Sequence, residues 1–173
     1  MNRNARSKSE HYAALLMRHP DAYAEIKGSA EYPQIYGAVR WYQITNGVLI
    51  AAEINGLPYS HENCGNPVFG FHIHAGTQCE GDLHDPFSSA MSHYNPSGCP
   101  HPFHAGDLPP LFGNHGYAFS AFVTDRFALS EVIGKTVILH GNPDDFTSQP
   151  SGNAGQKLAC GRITACKYGC KIC

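Results

Sequence analysis

Two histidines separated by a single residue, His72-Ile73-His74, are the first chemically informative feature of the chain. In a strand, residues i and i+2 share a face, so both imidazoles project together while Ile73 turns into the core. Two ring nitrogens so placed can share one ion, although paired strand histidines also occur as half-exposed polar residues. More ligand types follow. His93 opens the turn His93-Tyr94-Asn95-Pro96, whose Asn-Pro step fixes the backbone. His101 precedes His104 and Asp107, an i, i+3 pair of nitrogen and oxygen donors, and His140 ends the apolar run Val137-Ile138-Leu139. Of the 11 histidines, seven lie between His72 and His115, and such clustering points to metal. Three histidines with one aspartate suit tetrahedral zinc, and four imidazoles suit copper cycling between its oxidation states.

The elements that must position these groups are short strands. Tyr23 to Gly28 and Gly37 to Ile44 alternate polar and apolar residues, Thr45-Asn46-Gly47 reads as a hairpin turn, and Val48 to Ile54 returns. Val68 to His74 reads as one strand. The stretch from Ala75 to Pro110 is rich in Gly, Pro, His and Asp, and a structureless loop of that length is normally functional. Strands resume at Gly116 to Val123 and Thr136 to His140, a second loop runs from Gly141 to Gly155, and Leu158 to Thr164 closes the body. Ahead of all this, Tyr12, Leu15 and Leu16 sit at helical spacing behind Ser7 or Ser9 as caps, which predicts a short helix packed on the surface of the body.

Composition narrows the class. With 18 glycines and 12 prolines among 173 residues, the chain is turn-rich and β-dominated, and it is long enough to bury a core without a disulfide scaffold. A net charge of -2 argues against nucleic acid and an acidic membrane surface as partners. No apolar stretch approaches the ~20 residues of a membrane span. The polar start, Met1 to Arg6, has no apolar run of leader length behind it, so a cytoplasmic location is the expectation.

The chain resembles the copper/zinc superoxide dismutase family over about residues 22 to 164. The resemblance rests on Gly70-Phe71-His72-Ile73-His74, His93-Tyr94-Asn95-Pro96, His104-Ala105-Gly106-Asp107-Leu108, Gly134-Lys135-Thr136-Val137-Ile138-Leu139-His140, Asp144-Asp145, and Gly152-Asn153-Ala154-Gly155-Gln156-Lys157-Leu158-Ala159-Cys160-Gly161. It implies an all-β, immunoglobulin-like Greek-key barrel or sandwich of eight strands with two long functional loops. Residues 1–21 are then a helical extension and 165–173 a cysteine-rich tail. It implies copper on His72, His74, His93 and His140, and zinc on His93, His101, His104 and Asp107, with His93 as a bridging catalytic residue. Asp144 matches the family's carboxylate that accepts hydrogen bonds from one copper histidine and one zinc histidine. Cys79 and Cys160 match its disulfide. The implied activity is dismutation of superoxide to oxygen and hydrogen peroxide, and a homodimer is one assembly the resemblance allows. The alternative is a copper-binding or copper-delivery protein with a dismutase-like barrel and little turnover.

Several features depart from the family pattern. Lys157 stands where the family usually has an arginine that guides and docks the anion, and lysine keeps the charge without the planar fork. The segment from Cys79 to His93 is longer than usual, while the spacing from His101 to His104 and the loop from Gly141 to Gly155 are shortened. His61, His84 and His115 have no trusted counterpart and read as solvated or hydrogen-bonded histidines. In the tail, Cys166, Cys170 and Cys173 are spaced closely enough for thiolates to bind Cu(I) or zinc, with flanking lysines lowering their pKa. A reduced tail, or disulfides among Cys64, Cys99 and the tail, is the alternative reading.

Overall fold

The computed structural model describes residues 7–60 and 67–166. His61, Cys64, Cys170 and Cys173 therefore lie outside the described residues.

Alternation builds the first half of the sheet. Strands β1 (Ala22–Gly28), β2 (Tyr36–Ile44) and β3 (Gly47–Asn55) form an antiparallel meander. Their inward set, including Ala24, Ile26, Val39, Trp41, Val48, Ile50 and Ile54, is fully buried in one core. Each large aliphatic side chain buried there contributes roughly 1.5–3 kcal/mol.

The second half does not follow in chain order. Strand β7 (Tyr117–Thr124) pairs with β3, whereas β5 (Phe71–His74) pairs with β8 (Thr136–His140). Strand β9 (Lys157–Arg162) lies between β8 and β1. The order β5-β8-β9-β1-β2-β3-β7 is a curled antiparallel sheet of Greek-key type, with β10 (Thr164–Ala165) added beside β1. Among the described residues no helix is long and apolar enough to cross a membrane.

One split strand and two added elements differ from the sequence reading. The single strand expected over Val68 to His74 is split at Gly70, with β4 (Val68–Phe69) pairing to β6 (Leu111–Phe112) as a separate ribbon. The break follows from hydrogen bonding: the Gly70 amide donates to the Asn142 carbonyl and its carbonyl accepts from the His140 amide, which pulls the chain away from the β4 partner. Strand β6 and the one-turn helix α2 (Leu129–Val132) are too short to leave a periodic signal.

Loops and the N-terminal helix cover the outward faces. Helix α1 (Lys8–Leu16) starts in a capping box, the Glu10 amide donating to Ser7 Oγ and the Ser7 amide to Glu10 Oε2. Its Leu15 packs on Tyr42, Leu49 and Ala51, the outward residues of β2 and β3, as expected of a helix laid on the surface. On the far side, Phe87 and Ala90 of the long loop cover Ile138 and Cys160. The Cys79–Cys160 disulfide pins that loop to β9 with a Cα–Cα separation of 5.7 Å.

Candidate metal centre

On β5 the alternation resolves as the spacing predicts. Phe71 and Ile73 enter the main core, while His72 and His74 take the other face. His140 sits on the same outward face at the end of β8, where the β8–β9 register shifts between Leu139 and His140. That face is not left to solvent. The long loop returns along β5 twice: the Ala75 amide bonds the Ser92 carbonyl and the Tyr94 amide that of Ile73. Further on, the Ile73 amide bonds the Gly106 carbonyl and the Leu108 amide that of Phe71. These four bonds place His93 and Asp107 beside the strand histidines. They need glycine at 106, because a Cβ there would overlap the Ile73 carbonyl oxygen.

Seven side chains predicted from the sequence converge into two adjoining sets. His72, His74, His93 and His140 offer ligand atoms within 4.8 Å of one another, and so do His93, His101, His104 and Asp107. All seven residues are buried, and His93 belongs to both sets.

Hydrogen bonds decide which nitrogen of each ring faces inward. Asp144 lies between two rings, with Oδ2 2.7 Å from His72 Nε2 and Oδ1 2.9 Å from His101 Nε2. His74 Nδ1 donates to the Met91 carbonyl at 2.7 Å, and His140 Nδ1 is 3.3 Å from the Gly155 carbonyl. Each of these four rings therefore spends its N–H on an outward acceptor and keeps its lone pair on the inner nitrogen. The inner atoms His72 Nδ1, His101 Nδ1 and His93 Nε2 are buried without a hydrogen-bond partner. His74 Nε2 and His140 Nε2 face each other at 3.2 Å, lone pair to lone pair. An arrangement of buried acceptors aimed at one another is costly unless a cation lies among them. On the other side of the His93 ring, Nδ1 is 2.8 Å from Asp107 Oδ1 and 3.4 Å from His104 Nδ1. The residues present thus fit two metal ions.

Protonation states agree with that reading. Burial holds His72 and His74 below the ordinary imidazole range, and burial with the nearby His72 ring pushes His140 down to about 3. All three are neutral at neutral pH, with lone pairs available. Burial pushes Asp107 and Asp144 up, but imidazole partners outweigh it and leave both carboxyls below their usual range. For Asp144 the Phe146 amide adds a further bond to Oδ1 at 2.7 Å.

A cleft of about 370 Å³ opens over the first set, lined by His74, His93, His140, Met91, Gly155 and Lys157. Among these is Lys157, the cation singled out in the sequence. Its Nζ is 2.6 Å from Asp85 Oδ2 and 3.1 Å from the Phe87 carbonyl oxygen.

Other sequence candidates fall outside the cluster. His84 is exposed, and His115, also exposed, lies edge-on to the Tyr59 ring. Cys99 is a free thiol, whereas Cys166 is disulfide-bonded. Several positioning groups were given no role by the sequence. Arg126, just past β7, donates from one Nη1 to the carbonyls of Pro102 (3.0 Å), His104 (3.2 Å) and Asp107 (3.1 Å). Met91 adopts φ 64 as it presents its carbonyl to His74, an uncommon backbone for a residue other than glycine. Gly152 packs so closely on Asp144 and His101 that a Cβ would collide with both.

The fold and the site together define a β protein built to hold two metal ions side by side. A family model for copper/zinc superoxide dismutase matches residues 35–163. The chain is 33% identical over 169 residues to copper–zinc superoxide dismutase 2 of Aquifex aeolicus, covering 87% of this chain and 94% of that protein. It is 38% identical over 158 residues to the copper–zinc superoxide dismutase of Schizosaccharomyces pombe, covering 82% of this chain and 96% of that protein. Its fold is similar to that of Cu/Zn superoxide dismutase from Brucella abortus, with a TM-score of 0.68 at 23% identity over 82% of this chain and 98% of that one. The chain belongs to the copper/zinc superoxide dismutase family. It is an oxidoreductase acting on superoxide, with copper and zinc as its cofactors.

Proposed function

We propose that residues 22–164 are the catalytic body, that His72 Nδ1 with Nε2 of His74, His93 and His140 holds copper, and that Nδ1 of His93, His101 and His104 with an Asp107 oxygen holds zinc. The observation that carries this reading is the facing pair of lone-pair nitrogens, His74 Nε2 and His140 Nε2, 3.2 Å apart in a buried site. When bound, copper supplies a one-electron couple between Cu(II) and Cu(I), and zinc, which is redox-inert, supplies charge.

The remaining steps belong to the chain's own groups. Dismutation of two superoxide anions consumes two protons and yields one oxygen and one hydrogen peroxide. His93 can hold one of these protons at Nε2, the atom that has no protein partner. Its Nδ1 lies 2.8 Å from Asp107 Oδ1 and 3.4 Å from His104 Nδ1, the groups with which it would share zinc, so the ring is held from that side as Nε2 gains and loses a proton. Lys157 presents an ammonium at the cleft to dock the anion. Asp144 locks the tautomers of His72 and His101, which couples the geometry of one metal set to that of the other.

The test compares the wild type with His140→Ala. Copper-loaded wild-type protein should accelerate superoxide decay in stopped flow and show a Cu(II) EPR spectrum with nitrogen hyperfine structure. The variant should lose both while keeping one equivalent of zinc. A variant with full copper stoichiometry and unchanged turnover would remove the assignment. Tight Cu(I) binding by the wild type with negligible turnover would favour the copper-delivery reading.

A further inference from the structure

Lys157 and its carboxylate partner come from opposite ends of the site's architecture. Lys157 is the first residue of β9, while Asp85 lies in the lengthened segment between Cys79 and His93. That segment is a turn organised to deliver the carboxylate. Asp82 Oδ1 accepts from the amides of His84 and Asp85, and the Phe87 amide donates to Asp85 Oδ1 at 3.1 Å. The other oxygen, Asp85 Oδ2, is thereby turned to Lys157 Nζ at 2.6 Å.

The lysine side chain is 15% exposed and the aspartate 41%, so the pair is neither dry nor freely solvated. Lys157 borders two clefts, the one over the copper set and a second, of about 540 Å³, that Asp85 also lines. A lysine is a point charge on a flexible stem and lacks the rigid fork with which an arginine can hold itself against carbonyls. Here the Phe87 carbonyl supplies one anchor and Asp85 the other. One of the three ammonium N–H groups is left for an incoming anion.

We propose that Asp85 attenuates the charge that Lys157 presents to small anions. Its carboxylate offsets part of the ammonium's charge beside the copper cleft while the Phe87 carbonyl still anchors the ammonium, so that the pair, and not the lysine alone, sets the affinity for small anions. The inference rests on the copper assignment above and concerns how that site selects and attracts its substrate.

Azide, a small anion that ligates Cu(II), serves as the probe, read by the change in the visible Cu(II) spectrum of the metal-loaded protein. Asp85→Asn keeps the shape of a partly exposed side chain and removes its charge. It should tighten azide binding about two- to fivefold, the size expected of a partly exposed ion pair, and steepen the fall of kcat/KM with ionic strength. Lys157→Met should weaken azide binding, and in that background Asp85→Asn should lose at least half of its effect. Weaker azide binding in Asp85→Asn overturns the proposal, as does an effect of equal size with and without the lysine. A wild-type protein whose copper spectrum ignores azide would remove the copper assignment instead, and the role of the pair with it.

Discussion

Asp144→Asn tests the junction on which both metal sets depend. In the native protein two carboxylate oxygens accept three bonds, from His72 Nε2–H at 2.7 Å, His101 Nε2–H at 2.9 Å and the Phe146 amide at 2.7 Å. An amide of the same shape has one oxygen. That oxygen can serve His101 and Phe146, but the NH2 group then faces His72 Nε2–H, donor against donor. A hydrogen bond to a charged group is worth about 1.5–3 kcal/mol, and the surviving bonds lose their charge assistance. The side chains of His72 and Asp144 are 0% and 1% exposed, so solvent does not soften the loss. The expected cost to the metal-free protein is about 2–4 kcal/mol, read as a lower urea midpoint at unchanged slope. His72 can escape the clash only by moving its proton to Nδ1, the buried nitrogen proposed above as a metal ligand, so metal affinity should fall about 10- to 100-fold. Competition with a chromophoric chelator measures that directly. The sign of the pH dependence is a further check. Because the native carboxyl titrates below its unfolded value of about 4, its stabilisation is complete above that range and is lost as the pH falls through the folded pKa. The gap between wild type and variant should therefore be constant near neutrality and narrow in acid. Metal affinities within twofold of wild type, with a urea midpoint unchanged at pH 7, would refute the reasoning.

Two other perturbations separate the loops from the ligands themselves. Arg126→Ala removes three donations to the carbonyls of Pro102, His104 and Asp107, and zinc release to a chelator should speed up roughly tenfold. Arg126→Lys should recover part of this, and a release rate equal to wild type in both would show that the loop holds its shape unaided. In the metal-free protein, His74 and His140 stay neutral well below pH 6.5, while the same groups protonate in the unfolded chain. Stability should therefore be full above about pH 6.5 and decline toward the folded values, at about 1.4 kcal/mol per pH unit per histidine. With His140 at about 3, that residue alone accounts for about 2 kcal/mol lost by pH 5. A urea midpoint that is flat between pH 7.5 and pH 5 would contradict it.

What could be read from the sequence was whatever leaves a period or a residue type. His72 and His74 share a face because a strand repeats every two residues, and no loop packing alters that. The same period located β1 and β2, strand-like runs between turn residues located β3, β7 and β8, and helical spacing behind Ser7 or Ser9 located α1. The clustered histidines were legible as a ligand inventory, with their partition into two sets carried by the family resemblance. The aim of each ring was not legible, because it depends on carbonyls. Met91 and Gly155 orient His74 and His140 through backbone oxygens, which every residue type carries equally. The break at Gly70 was hidden for the same reason, since it is made by the Asn142 carbonyl and the His140 amide from distant parts of the chain. Asp85 and Arg126 were visible as charged residues, yet charges in loops are usually solvated, and only the fold brings Asp85 to a lysine 72 positions away and Arg126 to the carbonyl of Pro102, 24 positions away. Ligand identity is thus written in side-chain chemistry, and ligand orientation in backbone geometry that forms only when both long loops have closed over β5. Variants at the seven clustered residues should accordingly abolish binding in the set to which each belongs, while variants at Asp85, Arg126 and Asp144 should grade its strength and rate.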